Sequence, residues 1–287
     1  MSADLEQAVA AAVAADALVQ WRVCMVDPTT DEHLVCHDAD TEQASASLGK
    51  LLLLVEVAAQ FEVGTLAESE LLAHGDDDWV DDSGLWWHLT AAALPAVDCA
   101  TLVGAFSDNL ATNVLLRRVG GPEVVRNRAK TVGIKDISLH RYVGLHAKPR
   151  PAVESPFGLS SGTAAGYAAL LARLHRRDVV SAAVSERVLG WLALNADLSM
   201  VGGAFDLDPL CHDEPDLGVQ LWNKTGTISD VRGDVGVVVG EARTVAYAVL
   251  THWDDASHPA GRAVALDGMQ RIGRALRGLV RTEPIDA

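Results

Sequence analysis

A serine hydroxyl is a poor nucleophile until a base takes its proton, and three short strings in this chain hold the groups such chemistry needs. Ser47-Leu48-Gly49-Lys50 sets a serine and a lysine three residues apart at the start of an apolar helical run, so hydroxyl and amine share one helix face. A lysine that is desolvated beside other cations loses its proton readily enough to act as that base. A serine at a helix N-terminus also presents a free backbone N–H to the carbonyl under attack, half of an oxyanion hole. Lys224-Thr225-Gly226-Thr227 on a strand would supply the other half from the Thr227 N–H, while Lys224 would lower the pKa of Lys50 and attract a substrate carboxylate. Ser107-Asp108-Asn109 completes the set: Ser107 to relay a proton to a leaving nitrogen, Asn109 to hold Lys50 and a substrate amide. With 15 Ser and 5 Lys in 287 residues, one S-x-x-K arises by chance roughly a quarter of the time, but the ordered triple only about once in several thousand.

Other residues have two readings each. Arg232, just past the K-T-G string, would bind a substrate carboxylate or brace a turn. Trp86 and Trp87 would stack on substrate or fill a core or lid. The acidic run Asp76-Asp77-Asp78 with Asp81-Asp82 lacks EF-hand spacing and reads as a solvated loop. The histidines are scattered without an H-E-x-x-H, so no catalytic metal and no cofactor are expected.

These groups need a scaffold. Met1–Ala17 reads as an amphipathic helix with Ser2 as N-cap. Gln20–Asp27 and His33–Asp38 alternate about a turn at Pro28–Asp31, a hairpin that sets Cys24 opposite Cys36. From Ser47 to about Leu194 the pattern is helical, broken at 74–83 and at the Pro-rich 145–156. Two strand-like runs, DVGVVVGE and RTVAYAVLTHW, follow, and Ala260–Arg281 closes the chain as a helix. Strands and helices at both ends imply one antiparallel sheet shared by the termini: an α/β domain of residues 1–44 and 203–287, with an all-helical domain, 45–202, inserted. The formal net charge of −16 argues against nucleic acid. No window of about 18 apolar residues occurs, which excludes a membrane span. The acidic start is unlike a secretory signal, so a cytoplasmic protein with reduced thiols is expected, a monomer acting on a small molecule. None of the four cysteines forms a C-x-x-C pair.

The three strings resemble those of the class A β-lactamases and penicillin-recognising serine enzymes. SDNLATNVLLRRVGGPEVV is similar to that family's helix after S-D-N, and WNKTGTISDVRGDVGVV to its K-T-G strand, turn and next strand. The resemblance spans most of residues 1–285 and implies the β-lactamase/transpeptidase-like fold, an antiparallel sheet flanked by terminal helices with a helical insertion and a site in the cleft between. It implies Ser47 as nucleophile, Lys50 as base, Ser107 as relay and Lys224 as electrostatic contact, with Asn109, Thr225, Gly226, Thr227 and Arg232 binding substrate. One position departs from the family. Matching GIKDISLHRYVGLHA to the loop that carries the deacylating Glu and Asn puts Val143 and Ala147 in their places, and neither is a base. Glu154, His140 and His146 are the nearby substitutes, and Glu154 would otherwise pair with Arg141 or lie in solvent. Losing a positioned base slows its step about 10²–10⁴-fold. The expectation is therefore a serine hydrolase that acylates at Ser47 with a carboxylate-bearing β-lactam or related amide or ester and deacylates slowly. A D,D-peptidase or esterase with the same site, or a protein that binds β-lactam or peptide without turnover, are the alternatives.

Overall fold

The computed structural model describes residues 2–144 and 155–281. The chain opens with helix α1 (Ser2–Ala15) and a hairpin of β1 (Gln20–Val26) and β2 (His33–His37). A short β3 (Gln43–Ala44) and a 3-10 turn over Ala46–Gly49 lead into α2 (Lys50–Glu62). The strands β4 (Leu71–Ala73) and β5 (Ala93–Pro95) precede α3 (Ala96–Phe106), α4 (Asn109–Val119) and α5 (Pro122–Thr131). After β6 (Ile137–Leu139) and β7 (Ser160–Gly162) come α6 (Ala164–His175) and α7 (Ala182–Leu192). The last segment holds β8 (Val219–Ile228), β9 (Val231–Gly240), β10 (Thr244–His252) and α8 (Gly261–Val280).

The main sheet is antiparallel with strand order β2-β1-β10-β9-β8, so both chain ends build it. Its inner strands β1, β10 and β9 are buried nearly throughout, because both faces of the sheet are covered. Along β9, Val235 and Val237 join the cluster that contains α2 and α6, while Val238 joins the cluster under α1 and α8. That alternation is the period of two that a pleated strand imposes. Valine's branched side chain suits such a surface, which is why the DVGVVVG run forms β9.

Helix α2 is the pivot of the other half: every residue from Lys50 to Ala59 is buried, the pattern of a helix enclosed on all sides. The segment between the terminal strands is not purely helical. It also carries a three-stranded ladder, β3-β7-β6, and the pair β4-β5. Two- and three-residue strands such as Ser160–Gly162 are too short to show a period of two, so the sequence pattern passes over them.

Glycine is required where β8 meets the turn that carries Ser47. A Cβ on Gly226 would lie 2.6 Å from the Ser45 carbonyl oxygen and 2.9 Å from Leu48 Cγ. The buried Gly226 thus lets the K-T-G strand approach the nucleophile turn, and it contributes no wall of the cleft.

Candidate active site

Ser47 sits half-buried on the 3-10 turn, one turn ahead of the fully buried Lys50. The preceding residue, Ala46, has φ +49°, a left-handed conformation that a residue with a Cβ adopts only under constraint. The constraint is a buried chain of hydroxyls. Tyr167 donates to Ser45 Oγ at 2.8 Å, Ser45 Oγ lies 2.8 Å from Ser160 Oγ, and Ser160 donates to the Ala46 carbonyl at 2.6 Å. Burial pushes the Tyr167 phenol well above its usual range, so it stays a donor.

The S-D-N string forms the corner between α3 and α4. Ser107 adopts φ +53° as the C-cap of α3, which turns its carbonyl toward Lys50. Lys50 Nζ donates to Ser107 O at 2.6 Å, to Ser107 Oγ at 3.3 Å and to Asn109 Oδ1 at 2.6 Å. Burial, and then the charge of Lys224, lower the Lys50 pKa well below that of an ordinary lysine, against a smaller opposing pull from Asp108 and Asp82. Lys224 is also fully buried and donates to the Thr225 carbonyl at 2.9 Å. Burial lowers its pKa to about 8, with Asp197 and Asp234 opposing.

Asp108 is what holds the corner. Its buried carboxylate caps α4 by accepting from Ala111 N at 2.8 Å. It also accepts from Leu85 N at 2.7 Å and Trp86 N at 2.8 Å, tying down the turn over Trp86–His88. Replacing Asp108 by Ala strands three backbone donors, so a loss of about 3 kcal/mol in urea unfolding is expected. A loss under about 1 kcal/mol would show that water replaces the carboxylate.

The cleft beside Ser47 encloses about 660 Å3 and includes Ser107, Asn109, Thr225 and Thr227 in its walls. Its charged lining residues are Asp82, Arg141 and Asp197, and Lys50 and Lys224 are buried rather than part of the wall. Arg232 lies elsewhere. Its guanidinium donates to the Ile228 and Val231 carbonyls and rests 5.7 Å over the Trp253 ring, so it braces the β8–β9 turn. Trp86 is a core residue, and Trp87 stacks on His88 outside the cleft.

Val143 lines the cleft, and its backbone is gripped from α4: Asn113 Oδ1 accepts from Val143 N at 2.8 Å, and Asn113 Nδ2 donates to Val143 O at 3.1 Å. His140 is turned away, with Nε2 2.8 Å from Ser161 Oγ, and is outside the lining. Ala147, His146 and Glu154 lie outside the described residues. The acidic run is not all solvated: Asp78 is buried and accepts from Arg117 at 2.9 Å.

Several of these supports carry no sequence signal. Next to Lys224 in sequence, Asn223 Oδ1 accepts from Asn195 at 2.9 Å, and Asn223 and Tyr247 donate to Asp234 at 3.0 and 2.9 Å. Burial raises the Asp234 carboxyl to about 6. Asn223, Asp234 and Tyr247 come together only when β8, β9 and β10 pair, and Asn195 reaches them from the segment after α7.

A family model described as "Beta-lactamase enzyme family" matches residues 4–279. No curated protein matches the sequence significantly. Among solved structures, the beta-lactamase from Sphaerobacter thermophilus DSM 20745 superposes with a TM-score of 0.78 and 24% identity, covering 96% of this chain and 95% of that one. An acyl-enzyme complex of a mutant PBP-A with penicillin G gives 0.77 at 17% identity over 96% of each chain. The class A beta-lactamase from Mycobacterium abscessus gives 0.77 at 16% identity over 95% of this chain and 99% of that one. At these identities the likeness is one of fold.

Proposed function

Because the chain belongs to the beta-lactamase enzyme family, we propose that it is a serine hydrolase forming an acyl-enzyme at Ser47 with a β-lactam or related amide or ester, and releasing it slowly. Neutral Lys50 takes the Ser47 proton as Oγ attacks the carbonyl carbon, and the N–H groups of Ser47 and Thr227 hold the oxyanion. As the amide C–N bond breaks, Ser107 passes a proton to the departing nitrogen, leaving Ser47 esterified. Thr225, Thr227 and the charge of Lys224 hold a substrate carboxylate, with Arg141 as the cation at the cleft surface. The full burial of Lys50 near Lys224 carries this reading, because burial and the neighbouring charge both favour the neutral amine a base must be.

Val143 supports the slow second step. An isopropyl group at the cleft wall activates no water, so the ester persists. The same observation favours a second reading, a D,D-peptidase or esterase that passes the acyl group to an acceptor other than water.

Intact-protein mass spectrometry after mixing with penicillin G should show one adduct lasting many minutes, and peptide mapping should place it on Ser47. Rapid loss of penicillin with no lasting adduct would overturn slow deacylation. No adduct with any β-lactam or activated ester, and no turnover, would remove the nucleophile. Faster release with an added amine or D-amino acid than with water would select the acyl-transfer reading.

A further inference from the structure

At the far edge of the main sheet, three metal-ligating side chains converge. Cys24 on β1 pairs directly with Cys36 on β2, and their sulfurs are 3.5 Å apart. His33 Nδ1 lies 3.2 Å from Cys36 Sγ and 3.9 Å from Cys24 Sγ. In a regular strand, residues three apart point to opposite faces. Here the register shifts between Met25 and Val26, so His33, not Leu34, stands opposite Val26. That bulge brings His33 to the face of the two thiols, the kind of re-aiming bulges produce. Leu34 turns instead into the core under α1 and α8.

We propose that Cys24, Cys36 and His33 form a binding site for a thiophilic d10 cation, zinc being the probe. Tetrahedral zinc with bonds of ~2.3 Å to sulfur and ~2.05 Å to nitrogen sets sulfur–sulfur edges at ~3.8 Å and sulfur–nitrogen edges at ~3.6 Å. All three observed separations lie within about 0.4 Å of those edges. A disulfide instead needs ~2.05 Å between sulfurs and leaves His33 without a role. His33 and Cys36 are exposed, so a cation has an entry path and solvent completes the fourth position. Both thiols lose their protons to solvent on binding, and the imidazole binds through the lone pair of Nδ1. The site is separate from the cleft: β2 and β8 are opposite edges of the sheet, four strand spacings or roughly 19 Å apart. A bound ion would cross-link the β1–β2 hairpin and stiffen an otherwise open edge strand.

The full chain, reduced with a phosphine and freed of metal, is titrated with Co2+. One equivalent should produce a thiolate charge-transfer band in the near ultraviolet, and Zn2+ should displace it. Cys36→Ser should remove the band, His33→Ala should weaken binding at least about tenfold, and Cys211→Ser should leave it intact. Zn2+ should raise the thermal midpoint of the wild type and of Cys211→Ser, but not of Cys36→Ser. Absence of the band in the folded, reduced wild type overturns the site, whatever disulfide forms in air. So does a band that survives in Cys36→Ser.

Discussion

Lys50→Met should lower the rate of Ser47 acylation by about 10²–10⁴-fold while the protein remains folded, equivalent to roughly 3–5 kcal/mol of barrier. Methionine keeps the length and most of the volume of the buried lysine and removes only the amine. Lys50 Nζ lies within hydrogen-bond distance of Ser107 O, Ser107 Oγ and Asn109 Oδ1, so it is held where the S-D-N corner meets the nucleophile turn. The pH profile gives an independent readout. A base works only when neutral, so wild-type acylation falls as pH drops through the Lys50 pKa, which burial and Lys224 set well below the usual lysine value. At the other limb, Lys224 loses its charge above about 8, and the attraction for a carboxylate goes with it. The expected profile is a bell whose alkaline side turns near that value. Stopped-flow acylation with a chromogenic β-lactam, alongside thermal unfolding, measures both. An unchanged rate in a folded Lys50→Met would move the base elsewhere.

Much of this site was legible because its chemistry is local in sequence. S-x-x-K needs only a helical turn, S-D-N a helix corner, and K-T-G a strand. Ser47, Ser107, Asn109, Thr225 and Thr227 line the cleft, and Lys50, Asp108 and Lys224 are buried. The shared sheet was legible for a similar reason, since long apolar β-branched runs at both ends must find each other. What escaped depends on contacts between distant segments. The Tyr167–Ser45–Ser160 chain joins residues more than a hundred positions apart, and nothing near any of them marks it. Asp108 has no assigned role in its motif, yet one oxygen caps α4 and the other anchors a turn over twenty residues away. Arg232 was ambiguous because its direction is set by register: opposite Thr227 on β9, its guanidinium folds back onto the turn carbonyls. The cluster of His33, Cys24 and Cys36 was hidden by a bulge that ordinary strand alternation does not foresee.

Val143→Glu should shorten the lifetime of the Ser47 acyl-enzyme by about 10²-fold or more, the value of a positioned general base. The argument rests on the backbone rather than on the side chain. Asn113 is fully buried on α4 and satisfies both the N–H and the C=O of Val143. A larger side chain at this position therefore leaves the loop where it is and extends into the cleft that Val143 already lines. A glutamate carboxylate is ionised at neutral pH and is an acceptor only, as a base for water must be. Acylation depends on Lys50, so its rate should change little, and the whole effect should fall on release. The wild type should show a burst followed by near-arrest, and the variant a sustained steady state. Adding Asn113→Ala to Val143→Glu should return the lifetime toward the wild-type value, because the carboxylate then loses its fixed anchor. An unchanged lifetime in Val143→Glu, with the thermal midpoint and acylation rate preserved, would mean that the loop places residue 143 out of reach of the ester.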